Sequence, residues 1–202
     1  MKSLILLTLF SLPFASNDMN TSFDKITISK QNPINHIIMS KQDYSTTILV
    51  NQSPKEVYNA INNVRGWWSE EIEGPTDELN KEWFYHYKDI HLCKIKVAEM
   101  IPNRKVVWEV LDNSFNFIED KEEWVGNRIV FDISREGDKT RVTFTQEGLT
   151  TFYECFEVCR DGWNNYINNS LYKLITTGEG EPNPKDGEGF NKKLADKWRL
   201  NE

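Results

Sequence analysis

Apolar and polar positions along this chain fall into separate short patterns, and each pattern predicts an element. Residues Tyr44 to Val50 read YSTTILV, a β-branched run that stops at polar Asn51 and Gln52 and predicts a first strand. A helix follows: Ser53 is the N-cap, Pro54 takes the first helical position, and Glu56 completes a capping box. Val57, Ile61 and Val64 form its apolar stripe with Tyr58 beside it, and Gly66 is expected to end it. Beyond an acidic loop at 73–78 come five further strand patterns, over 83–88, 92–100, 105–111, 128–135 and 140–147. Period-two alternation is clearest at Cys93, Ile95 and Val97 against Lys94 and Lys96. It recurs at Ile129, Phe131 and Ile133 against Arg128, Asp132 and Ser134. One sheet face is therefore covered and the other wet. The short turns Lys88-Asp89, Pro102-Asn103 and Gly137-Asp138 read as hairpins, so these strands are sequential and antiparallel.

The last long pattern is helical. Thr151 and Glu154 read as a second capping box; Phe152, Phe156, Cys159, Trp163, Tyr166, Ser170 and Leu174 recur at a three-four spacing, and Gly178 ends the run. Gly162 in mid-helix costs about 1 kcal/mol against alanine unless close packing on the sheet offsets it. The longest connection, 112–126, carries Phe115, Phe117 and Trp124 among acids, unusual content for a solvated loop that points to folding over something. From Glu179 the composition turns to charge, Gly and Pro, predicting a loose extension with one short helix near 192–200.

The VRGWWSEEI stretch places Trp67 and Trp68 side by side behind Gly66. Neighbouring side chains diverge by about 100° on a helix and 180° on a strand, so one ring is expected to fill the interior while the other lies at a rim. Ser69 to Glu71 are expected to cap and charge a second short helix.

Composition narrows the function classes. The length of 202 residues fits one domain, and 12% aromatics beside 39% hydrophobic residues concentrates the apolar material in rings. A formal charge of -7 and a pI near 5.1 disfavour nucleic acid and anionic membranes as partners. Three cysteines without a CxxC pair give no disulfide framework and fit a reducing, cytoplasmic setting. The start, with LILLTLFSLPFAS behind Lys2, resembles a secretory signal too short to span a bilayer, with Pro13 or Phe14 where a small residue belongs before the cut. Two readings stand for 1–38: an export signal with a polar follower, or a segment that is untranslated or disordered ahead of Met39. The expected domain is 39–182, with 183–202 as the charged tail.

The order strand, helix, five-strand meander and long C-terminal helix is that of an α+β helix-grip domain. It predicts a curved antiparallel sheet of about six strands packed on the last helix. The segments SPKEVYNAI, GWWSEEIEG and FYECFEVCRDGWNNYINNSLYKLITTGEGEPN resemble the START/Bet v 1-like (SRPBCC) superfamily. Within it they are similar to bacterial proteins related to the activator of Hsp90 ATPase, over roughly residues 43 to 182. That resemblance implies a cavity between sheet and helix, a stress-response setting, and an Hsp90-type chaperone as one candidate partner. The N-terminal domain carried by the eukaryotic activators has no counterpart in this chain's pattern.

The rings that such a fold brings together, Trp67, Trp68, Trp108, Phe131, Phe144, Phe156, Trp163 and Tyr166, are candidate cavity lining for a small apolar ligand. Tyr166 and Asn168 are candidate polar anchors. The same rings serve equally as core filler, since burial of a ring is favourable by itself. Cys155 and Cys159, one turn apart, could join Cys93, His86 and His91 around a metal, but their place on the apolar stripe reads as packing. No nucleophile triad, phosphate loop or zincin motif is visible, and neither cofactor nor metal is expected. The acids Asp112, Glu119, Asp120, Glu122 and Glu123 could supply a base to a cavity enzyme of the cyclase or lyase type, against the simpler reading of a solvated face. The leading expectation is a noncatalytic binder of a small apolar or aromatic molecule, with chaperone interaction and cavity enzyme as alternatives.

Overall fold

A computed structural model describes residues 42–200; the expectations for residues 1–38 fall outside them. Strands β1 (Tyr44–Val50), β2 (Glu82–Tyr87), β3 (His91–Ile101), β4 (Lys105–Phe115), β5 (Arg128–Glu136) and β6 (Lys139–Glu147) form one antiparallel sheet in the order β1-β6-β5-β4-β3-β2. Register shifts between Lys94 and Ile95 and between Val97 and Glu99 bend the β3–β4 pair. Helix α1 (Pro54–Asn62) follows β1, and α2 (Phe156–Asn165), α3 (Tyr172–Thr177) and α4 (Phe190–Trp198) follow β6. This is the α+β helix-grip architecture that the element order predicts. No helix of the described residues is long and apolar enough to cross a membrane.

Local chemistry accounts for most element ends. The capping box at α1 forms as read: the Ser53 side chain accepts the Glu56 N–H at 3.3 Å while Glu56 accepts the Ser53 N–H at 2.8 Å. The helix ends earlier than expected, at Asn63, and a 3₁₀ turn over Val64–Gly66 leads to the tryptophans. Gly66 is needed for proximity, because a Cβ there would stand 2.6 Å from Asn63 Nδ2 and 3.2 Å from Leu174 Cδ2. No second short helix follows Trp68. Ser69 instead bridges to Asn183, and its hydroxyl accepts the Glu71 N–H at 3.1 Å.

Two boundaries differ from the pattern. β4 runs on to Phe115, because Asn113 and Phe115 continue the inward alternation opposite Cys93 and His91. The predicted Thr151–Glu154 box does not form; α2 starts at Phe156 with Cys155 as its N-cap, and Glu123 accepts the N–H groups of Glu154 at 2.5 Å and of Cys155 at 3.0 Å just ahead of it. Between α2 and α3 the helix widens into a π turn, Tyr166–Leu171. The segment from 183, read from its composition as a tail, packs: Asn183 is buried and Ala195 of α4 is 1% exposed.

The core is built of rings. Trp67, Trp68, Trp83, Trp108 and Trp163 are each at most 2% exposed. Trp67 lies at 6.2 Å and 13° to Trp108 and edge-on to Phe131, and Phe131 meets Phe144 at 5.2 Å. Offset and edge-to-face pairs of this kind add about 0.5–1.5 kcal/mol each beyond burial.

Candidate functional site

A cavity of about 60 Å³ lies between the β2–β3 end of the sheet, α2 and α4. Its sheet wall is Tyr85 and Tyr87 from β2 and His91 from β3. Those tyrosines fall on the inward phase of a period-two strand that also buries Trp83. Phe115, Phe117 and Trp124 come from the end of β4 and the connection after it, so the apolar content of that loop does fold over the interior. From α2 and the π turn come Cys159, Gly162, Trp163 and Tyr166, and from α4 and its exit Asn191, Leu194 and Leu200.

Of the rings anticipated as lining, Trp68, Trp163 and Tyr166 border this cavity. Trp67, Trp108, Phe131 and Phe144 stand behind it in closed packing, and Phe156 is half-buried against the core at the start of α2. Neither tryptophan of the pair reaches a rim: Trp67 is fully buried and Trp68 is 2% exposed. Trp67 sits at φ −142°, ψ −24°, outside helical geometry, and the two rings stack at 6.2 Å and 22°. Asn168 is exposed and accepts from Thr46 at 3.0 Å on the far side of the helix, so it is not a cavity anchor. Sequence reasoning missed Tyr85, Tyr87 and His91, although the alternation through Trp83 marked both tyrosines. It also missed Asn191, Leu194 and Leu200, which nothing local marked.

Tyr85, Tyr166 and Asn191 of the wall form a network with Asn183, while Trp68 Nε1, on the same wall, has no partner among the described residues. The Tyr166 hydroxyl donates to Asn191 Oδ1 and accepts from Asn183 Nδ2 at 3.0 Å; Asn191 Nδ2 donates to the Tyr85 hydroxyl at 2.8 Å, and the Asn191 N–H to Asn183 Oδ1 at 2.7 Å. Asn183 Nδ2 also donates to the Trp68 carbonyl at 3.0 Å. Helix α4 is thus pinned over the cavity by hydrogen bonds from its first turn, and near its end Asp161 receives Lys197 Nζ at 2.5 Å and Trp198 Nε1 at 3.2 Å.

The wall is neutral. Burial pushes the Tyr85 and Tyr166 hydroxyls and the Cys159 thiol upward, and it lowers His91 to about 4 against a weaker opposing pull from its bond to Asn113. Cys93, Cys155 and Cys159 are free and buried, and Cys155 Sγ accepts from Trp124 Nε1 at 3.3 Å. Among the described residues no cluster of three metal-ligating side chains occurs. None of the acids Asp112, Glu119, Asp120, Glu122 and Glu123 borders the cavity.

The scan against protein-family models gives no match, and the comparison with curated proteins gives none either. Solved structures do match. The Aha1 dimer from Colwellia psychrerythraea aligns with a TM-score of 0.56 at 22% identity, over 69% of this chain and 99% of that one. A protein from Staphylococcus saprophyticus aligns at 0.51 and 17% identity, over 69% and 95%. DynU16 of the dynemicin biosynthetic locus aligns at 0.50 and 14% identity over 67% of this chain, which spans only 48% of DynU16. The chain has the Bet v 1-like, helix-grip fold. At these identities the likeness establishes that fold alone. Within a helix-grip domain the volume between sheet and long helix is the interior that ring packing here fills almost completely.

Proposed function

We propose that the protein is a noncatalytic binder of a small, mainly apolar molecule, held between the sheet and α2 and covered by α4. The observation that carries this reading is the wall: rings from β2, β3, β4 and α2 converge on one residual cavity, and its cover is a separate helix at the end of the chain. Pockets for drug-sized ligands usually measure about 300–1,000 Å³, and a dry engineered cavity of about 150 Å³ takes benzene. The present 60 Å³ is smaller than either, so an aromatic occupant enters only as Leu194 and Leu200 withdraw with α4. Native mass spectrometry of protein purified from its host, with a thermal-shift screen of small aromatics and short lipids, tests the reading. A copurifying or stabilising molecule is expected; neither, across the screen, would mean that the cavity is only a packing gap.

A second reading is a protein-interaction module acting on an Hsp90-type chaperone. The dense ring core, the fold shared with an Aha1 structure, and the outward-facing Phe84 (49% exposed) and Leu92 (46%) on adjacent strands favour it. Pull-down with the host's own Hsp90, repeated with Phe84→Ser, distinguishes it from ligand binding. The cyclase or lyase alternative has less support, since none of Asp112, Glu119, Asp120, Glu122 and Glu123 borders the cavity and Glu123 is engaged with the backbone at the start of α2.

A further inference from the structure

Trp68 Nε1, on the cavity wall, is buried and has no hydrogen-bond partner among the described residues. Its indole packs against Trp67 and Trp108 of the core, near parallel at 6.2 and 6.4 Å, and against three rings of the wall: Tyr85 at 4.6 Å, Trp163 at 5.0 Å and Tyr166 at 6.1 Å. The N–H lies toward the wall's polar corner. Burial above all pushes the Tyr85 hydroxyl up, and the groups that pull it back are Asn191 and the Trp68 indole. That hydroxyl takes the Asn191 amide at 2.8 Å but stands outside hydrogen-bond geometry with Nε1.

Helix α4 carries Asn191, so a ligand that enters as α4 withdraws also lifts the Asn191 amide from the Tyr85 and Tyr166 hydroxyls. Those hydroxyls and the Asn183 amide each both donate and accept, and can turn to one another. An indole nitrogen only donates. Turning a hydroxyl proton does not move its oxygen, so Trp68 Nε1 is unmet with α4 in place and with α4 withdrawn. We propose that Trp68 makes this site selective for small aromatic molecules that carry a hydrogen-bond acceptor, such as aryl ketones and aldehydes, over hydrocarbons of the same shape. The inference rests on the ligand-binding reading above, entry by withdrawal of α4 included, and adds the group that selects. A carbonyl oxygen set against Nε1 gives a desolvated donor its partner, whereas a hydrocarbon leaves it unmet.

Acetophenone and α-methylstyrene are the probes: they share one shape, with C=O in the first where the second has C=CH2. Titration calorimetry on the full chain reads both affinities, each scaled by the compound's partition from water into an alkane, a solvent without hydrogen bonds. On that scale acetophenone should bind at least about tenfold more tightly. Equal scaled affinities would overturn the selectivity while leaving the ligand-binding reading intact; binding of neither would remove both. Nitrogen-15-resolved NMR of the wild-type indole N–H groups tests the residue itself, without a variant that has to fold. The Trp68 indole proton should move further downfield with acetophenone than with α-methylstyrene, whose phenyl ring shields it alike. Equal movement with both, or a larger downfield shift at another indole, would overturn the assignment to Trp68.

Discussion

The Glu123 carboxylate accepts the Cys155 backbone N–H at 3.0 Å, so the connection after β4 is tied to the N-cap of a helix that begins more than thirty residues later. The same carboxylate takes the Glu154 N–H, and its charge lies at the positive end of the α2 dipole. This one side chain ties the loop that supplies Phe117 and Trp124 to the helix that supplies Trp163, and the Trp124 and Trp163 rings stack at 5.9 Å and 12° on the cavity wall. Glu123→Ala should lower stability by about 1–2 kcal/mol, and Glu123→Gln by less because the amide still accepts. Urea unfolding measures both; an unchanged midpoint for the alanine variant would show that the N–H groups find water instead.

Two glycines should respond in opposite directions. A methyl on Gly180 would meet the Gly66 carbonyl oxygen at 2.2 Å, backbone against backbone, where neither partner can give way. Gly180→Ala should therefore cost about 1–3 kcal/mol or more and disturb the adjoining Trp67 segment, visible as a change in tryptophan emission. A methyl on Gly162 would meet only Tyr166 at 3.6 Å and Leu194 at 3.8 Å, ordinary contact distances. Gly162→Ala should stabilise the helix by about 0.5–1 kcal/mol. The glycine faces α4 and the cavity, not the sheet as the helical pattern suggested, so the gain should come with a smaller cavity.

These cases also show where sequence reading reaches. Strand alternation, hairpin turns and the Ser53 box are set by neighbours a few residues away, and the architecture follows from them. The start of α2 was misread because the N–H groups just ahead of it are held by Glu123, beyond any local window, while Thr151 and Glu154 merely had the right spacing. Helix α4 was legible as a short helix, but its position over the cavity depends on Asn191 meeting Tyr85, 106 residues earlier. Tyr87 and Phe115 came from the two features that did carry a signal, the alternation of β2 and the rings of the long loop. The pairing of Trp67 with Trp68 could not be read, since their stacking needs a backbone bend that is neither helix nor strand.

The pH dependence of stability should carry the mark of His91. Burial lowers its folded value to about 4 from 6.5, so between those limits the unfolded chain binds a proton that the folded chain does not. Stability is then fully present above about pH 6.5 and declines as the pH falls toward 4, by roughly 3 kcal/mol at most. Denaturant midpoints between pH 7 and pH 4 measure the decline, and it should be largely absent in His91→Phe. An equal decline in that variant would assign the effect to carboxylates.

Withdrawing the cover should turn the small cavity into a usable one. Leu194 lies against both the cavity and Gly162, and its truncation removes apolar volume where α4 meets α2. Leu194→Ala should destabilise the fold by about 2–3 kcal/mol, toward the low end for such changes because the residue is only half-buried. Adding toluene should then restore part of the loss, since a ligand that binds only the folded state raises its stability with concentration. Trp67→Phe supplies the comparison: it opens space behind the cavity, in the closed packing with Trp108 and Phe131, and should weaken the fold without gaining toluene rescue. Rescue of both variants would mean that the core is permeable throughout and that α4 is no special cover. Rescue of neither would mean that the neighbouring rings collapse into the vacated space. Rescue of Leu194→Ala alone, read as a rise in its melting temperature with toluene, is the result expected if α4 controls entry.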